Sequence, residues 1–137
     1  MPATFESFGL RFLYPENWTI AERGEDEGDD GVTFELPSGG FLSIEPLRDG
    51  QLEEELIEEI ADSIIEDYGE VEREEVSSED GSRTVDFQFY YLDLLVVSRL
   101  KIVPIGPVTY FIQIQAESRD FEENTLVFEA IFKQICG

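Results

Sequence analysis

Apolar residues recur at every second position through most of this chain, and at every third or fourth position in only two stretches. That change of period restricts the fold to a sheet carrying two helices. Leu52, Leu56, Ile57, Ile60, Ile64, Ile65 and Tyr68 form one helical stripe, and Val127, Phe128, Ile131, Phe132 and Ile135 form the other. Elsewhere the alternation is that of strands. Phe8, Leu10, Phe12 and Tyr14 alternate up to Pro15, and Trp18 with Ile20 opens a second strand. Val32, Phe34 and Leu36 run into Pro37-Ser38-Gly39-Gly40, and Leu42 and Ile44 return toward Pro46, which is a hairpin pattern.

The second half reads as a meander. A charged strand covers about residues 70 to 78, Asp80-Gly81 supplies a hairpin turn, and Val85, Phe87, Phe89 and Tyr91 alternate after it. Asp93 marks the next reversal. Leu94 to Val103 is apolar on both faces apart from Ser98, Arg99 and Lys101, as befits a central strand covered on both sides. After Gly106-Pro107, Val108, Tyr110, Ile112, Ile114 and Ala116 alternate with Thr109, Phe111, Gln113 and Gln115, giving one apolar and one mixed face. The expected fold is therefore α+β: an antiparallel sheet of about six strands flanked by helices over 51–68 and 119–135, in one domain over 1–137.

Helix ends carry their own signals. Asp49 is placed to cap the first helix, Glu53, Glu54 and Glu55 suit the positive end of its dipole, and Gly69 suits a left-handed C-terminus. Glu66 and Asp67 sit at the wrong end of that dipole, so packing of the stripe must hold the last turn. Asp120 with Glu123 has the spacing of a capping box for the second helix.

Charge bounds the function. With 32 acidic against 9 basic side chains the formal net charge is -23, which repels phosphate backbones and makes nucleic acid and anionic membrane poor partners. Cations and basic proteins suit it better. The 42% of hydrophobic residues, with 11 Phe, 5 Tyr and 1 Trp, supply the apolar area that disordered acidic chains lack. The longest purely apolar run is Leu94 to Val97, far short of the about 20 residues of a membrane span, and no basic-then-apolar leader opens the sequence. The expectation is a cytoplasmic protein.

Catalytic chemistry finds few residues to work with. The chain has no histidine, which removes the commonest general base and the imidazole metal sites. Cys136 is the only cysteine, so it forms no internal disulfide, builds no multi-thiolate zinc site and has no histidine to activate it; it reads as a residue at a helix end. Glycines occur without either phosphate-binding spacing. No enzyme activity, no cofactor and no metal are expected. An alternative is a calcium-binding module through the acidic loop 24–31, with Glu25, Asp26, Glu27, Asp29 and Asp30 as oxygen donors. Gly28 occupies a ligand position of the EF-hand spacing, however, and Pro37 stands where the bidentate glutamate belongs.

The first helix also bears Glu53, Glu54, Glu55, Glu58, Glu59, Asp62, Glu66 and Asp67 with no lysine or arginine among them. Like charges three and four apart cost about 0.2 to 0.5 kcal/mol per pair. Glu54, Glu55, Glu58, Glu59 and Asp62 are therefore candidate partner-binding residues, for a protein with a basic surface; solubility or adaptation to salt would account for the same face equally well. Affinity would need an apolar or aromatic anchor, and every apolar stripe is already claimed by the core.

The element order resembles a known superfamily. A strand ending in Tyr14-Pro15, Trp18 three residues later, a short hairpin, a long helix, a meander of long strands and a C-terminal helix is similar to the PsbP-like superfamily. That group also takes in the Ran-binding nucleotide-release factors, the DcrB-like proteins and the Eag-type secretion chaperones. In such a fold the proline ends a strand and the tryptophan anchors the next one in the core. The resemblance covers nearly the whole chain and implies a non-catalytic protein-binding or adaptor/chaperone-like module. The acidity and the lack of a leader set the chain apart from the photosystem members.

Overall fold

A computed structural model of the chain describes residues 2–7, 9–21, 31–47, 52–77 and 82–136, with the side chains of 76, 77 and 136 left aside. In chain order the strands are β1 (Ala3–Ser7), β2 (Leu10–Tyr14), β3 (Thr19–Ile20), β4 (Val32–Glu35), β5 (Phe41–Pro46), β6 (Glu72–Ser77), β7 (Arg83–Tyr91), β8 (Leu94–Ile105) and β9 (Val108–Glu117). The helix α1 (Glu53–Tyr68) lies between β5 and β6, and α2 (Ser118–Glu123) and α3 (Thr125–Cys136) follow β9. Seven strands form one antiparallel sheet in the order β3-β4-β5-β9-β8-β7-β6, while β1 and β2 make a separate hairpin.

Alternation on the strands divides the core between the two faces of the sheet. Lys101 of β8 is opposite Ile112 of β9, so Leu100 and Ile102 point away from the face on which Ile112 and Ile114 lie. Leu100 and Ile102 join Val85, Phe87 and Phe89 in packing against Ile57, Ala61 and Ile64 of α1. On the other face, Phe34, Leu42, Ile44, Ile112 and Ile114 pack with Phe12 of the hairpin and with Phe128 and Ile131 of α3. The strand β8 is covered on both sides, as its composition suggests: Arg99 lies 4.9 Å from the Phe121 ring centroid and Lys101 4.6 Å from that of Phe132. Trp18, turned inward by the bond from its N–H to the Pro15 carbonyl, contacts Phe34 and Phe128.

The antiparallel sheet agrees with the expectation of about six strands: among the described residues it has seven, with β1 and β2 forming a separate pair. Several other expectations are corrected. The second helix is two helices, broken at Asn124: its side-chain amide and its backbone N–H both donate to the Asp120 carbonyl, and the Thr125 hydroxyl donates to that of Phe121, so side chains share the backbone's acceptors at the break. Asp120 lies inside the first turn of α2, whose capping carboxylate is Glu117, accepting from the Arg119 N–H at 3.0 Å. The N-cap of α1 is Leu52, with no side-chain cap bond, and Asp49 lies outside the described residues, as does the Asp80-Gly81 turn. Gly69 ends α1 at φ 93° and donates its N–H to the Ile65 carbonyl.

Candidate functional site

The five candidate acidic residues of α1, Glu54, Glu55, Glu58, Glu59 and Asp62, have different surroundings. At 3.6 residues per turn they spread over an arc of about 140°, from Glu54 through Glu58, Asp62 and Glu55 to Glu59. The Glu54 edge of that arc is neutralised from the sheet, which corrects the expectation of an uncompensated face. Arg83 of β7 places Nη1 2.6 Å from Glu54 and 3.9 Å from Glu53, and Arg73 of β6 donates to Glu58 at 2.6 Å. Both arginines also pair with Glu75. The hydrogen bond from Arg83 holds the Glu54 carboxyl below its ordinary value, and the bonds donated to Glu58 and Glu54 hold Arg73 and Arg83 above theirs. At the other edge Glu59 borders a recess of about 300 Å³ that reaches Gln113 and Gln115 of β9. Glu55, Glu59 and Asp62 are exposed with no cation partner among the described residues.

A different place combines apolar surface with acidity. The strand β6 begins opposite Gln88, so Phe89, Tyr90 and Tyr91 of β7 run on past its end and the sheet edge steps inward. A groove of about 570 Å³ fills the step, lined by Ile65 and Tyr68 at the end of α1, by Val71, and by Phe89, Tyr90 and Leu95. Tyr68 stacks on Phe89 at 4.4 Å and meets Tyr91 edge-on at 5.6 Å, so these rings lie on the α1 side. Gln88 and Tyr90 lie on the opposite side by alternation, and the groove opens across the edge between them. Its charged lining is Glu70 and Glu72; no lysine or arginine takes part.

The β7–β8 turn extends this apolar surface. Tyr90 is 67% exposed, Leu92 77%, and Tyr91 and Leu94 are also largely in solvent. Leu92 and Asp93 form the turn with φ 49° and 64°, the left-handed region that glycine, asparagine and aspartate enter most readily. A leucine is the unexpected member: the backbone is held in a conformation costly for its side chain, and that side chain projects into water. The expectation that every apolar stripe is consumed by the core is corrected here, at Ile65, Tyr68 and Tyr91.

The acidic loop 24–31 lies outside the described residues except for Gly31, and among the described residues no group of three or more potential ligands could hold a metal ion. Nothing described supports the calcium alternative. No described helix is long and apolar enough to cross a membrane.

Comparison of the whole chain with solved structures decides its architecture. A cyanobacterial PsbP from Synechocystis superposes with a TM-score of 0.63 at 10% identity, covering 97% of this chain and 90% of that one. The chain has the PsbP-like fold. The Ran-binding protein Mog1p of Saccharomyces cerevisiae shares it, with a TM-score of 0.59 at 11% identity over 98% of this chain and 94% of that one. So does a Pseudomonas aeruginosa protein of unknown function, with a TM-score of 0.54 at 8% identity over 93% and 91%. No protein-family model matches the sequence, and no curated protein matches it. At these identities the likeness establishes architecture and leaves function to the residues. Within this PsbP-like frame the step groove lies at the β6 end of the sheet, on the far side from the β1–β2 hairpin.

Proposed function

We propose that this protein is a non-catalytic binding module, and that it docks another protein through the apolar step formed by the α1 C-terminus and the β7–β8 hairpin. The observation that carries the reading is Leu92, kept at positive φ and in solvent, where asparagine would satisfy the turn at lower cost. Local strain and exposed apolar area are both unfavourable for an isolated domain; a partner that covers the turn recovers the exposed area, which gives a strained leucine there a use. Tyrosines dominate the surroundings, and tyrosine is among the residues that carry most of the binding energy at interfaces. Glu70 and Glu72 at the rim, with the net charge of -23, favour a partner whose docking surface is basic. Mog1p, which has this fold, is a Ran-binding protein. The missing histidine and the single cysteine favour binding over catalysis.

The test separates stability from docking. Leu92→Asn should stabilise the free domain by a few tenths to about 1 kcal/mol, because the turn loses its strain. The same variant should lose the partners that the wild type captures from an extract at low salt. Glu55→Lys/Asp62→Lys should keep them. A Leu92→Asn protein that captures the same partners unchanged contradicts the proposal.

A further inference from the structure

We infer that the open outer edge of β6 receives an extended, basic segment of the partner by strand addition, with an apolar residue of that segment seated in the step groove; this rests on the groove being the docking site. The strand β6 is the last of the seven, and no described strand pairs with its outer side, so among the described residues its outward N–H and C=O groups are left to bond a further strand. The opposite edge of the sheet, β3, is two residues long and offers no comparable template.

The two faces of β6 specify what the segment must carry. Arg73 and Glu75 point to the α1 side, where Arg73 is paired with Glu58 and Glu75, and Glu75 is paired with Arg83 as well. Glu72 and Glu74 point to the other side, where they share a recess of about 250 Å³ with Asp86 and Gln88 and have no cation partner among the described residues. Asp86 is already held by Arg99, through bonds of 2.8 and 3.1 Å. An added strand shows alternate side chains on each face, so lysines or arginines at every second position would meet Glu72 and Glu74. A second copy of this chain is a poor occupant, because it presents the same acidic strand and the same net charge of -23. All neighbouring strands in the sheet are antiparallel, and an antiparallel segment would bring its C-terminal end to the groove at the start of β6. The ligand is therefore an extended segment with alternating basic residues followed by an aromatic or aliphatic one.

Synthetic peptides of that design, with lysine alternating with threonine and a C-terminal tryptophan, test the inference by fluorescence titration against the full chain at low salt. A strand on a sheet edge turns only every second N–H toward its neighbour. Methylating the nitrogens of one alternate set should weaken binding about tenfold or more, since several edge hydrogen bonds are lost together, and methylating the other set should leave it nearly unchanged. Glu72→Gln/Glu74→Gln should also weaken binding and flatten its salt dependence. No binding of the parent peptide overturns strand addition. Equal binding of both methylated peptides, with loss of binding in Tyr90→Ser, overturns strand addition while leaving the groove as a docking site. Sensitivity to one methylated set without any effect of Tyr90→Ser places the segment on the edge and removes the groove from the account.

Discussion

At position 40 there is room for no side chain. A Cβ built on Gly40 would lie 2.5 Å from the Gln115 carbonyl oxygen and 2.9 Å from the Ala116 Cβ, both on β9, the strand against which β5 must dock. Neither contact can relax by moving a flexible chain end, since one atom is backbone and the other is a buried Cβ. Gly40→Ala should cost about 1 to 3 kcal/mol, the usual range for forcing extra atoms into a filled site. A urea denaturation series would show it as a lower midpoint, and an unchanged midpoint would mean that β5 and β9 are not as close as described. Trp18 is the matching case of a residue whose role is legible in the sequence. The resemblance to the PsbP-like superfamily implies an anchor there, and the buried indole touches Phe34 of β4 and Phe128 of α3.

The elements show where sequence reasoning succeeds and where it stops. The helix α1 and its end at Gly69 are readable because a stripe of period 3.6 and a glycine stop are local signals. The strand β1 escapes such reading because Phe5 is the only large apolar residue in its five positions, so no alternation marks it. The split between α2 and α3 is marked by side-chain bonds at Asn124 and Thr125 that share the backbone's acceptors only in place. The step groove is hidden for a different reason: Phe89 and Tyr91 alternate as core residues do, and alternation cannot tell where the neighbouring strand stops. The partners of the acidic helix are hidden too, since Arg73 and Arg83 reach α1 from strands far along the chain. That clamp makes a prediction of its own. Because the Glu54 carboxyl is lowered by its bond to Arg83, its contribution is present above the unfolded carboxylate value and is lost as pH falls through the folded one. The arginines stay charged throughout that range. Glu54→Gln should therefore lower the urea midpoint near pH 7 and make little difference near pH 3. A gap of the same size at both would show that the ion pair is not its cause.

For the whole molecule, the net charge and the position of the apolar surface play separate parts. A charge of -23 distributed over a small domain attracts basic partners from a distance and raises association rates, with a reach that falls from about 10 Å at 0.1 M salt to about 3 Å at 1 M. It does not select a contact. In the proposed reading, selection falls to the end of the sheet where Tyr68, Tyr90, Tyr91 and Leu92 are exposed beside the β6 edge and an acidic rim. Charge and fold class are legible in the sequence, but the contact it suggests is the acidic helix, because charge runs are visible in a sequence and the ends of neighbouring strands are not. The two locations are separable by placing a photo-crosslinking amino acid at position 90 in one protein and at position 62 in another, then irradiating each in native extract. The account predicts a discrete protein adduct from position 90, retained when salt is raised after the complex has formed, and none from position 62. An adduct from position 62 alone would contradict it and return the docking surface to the outer face of α1.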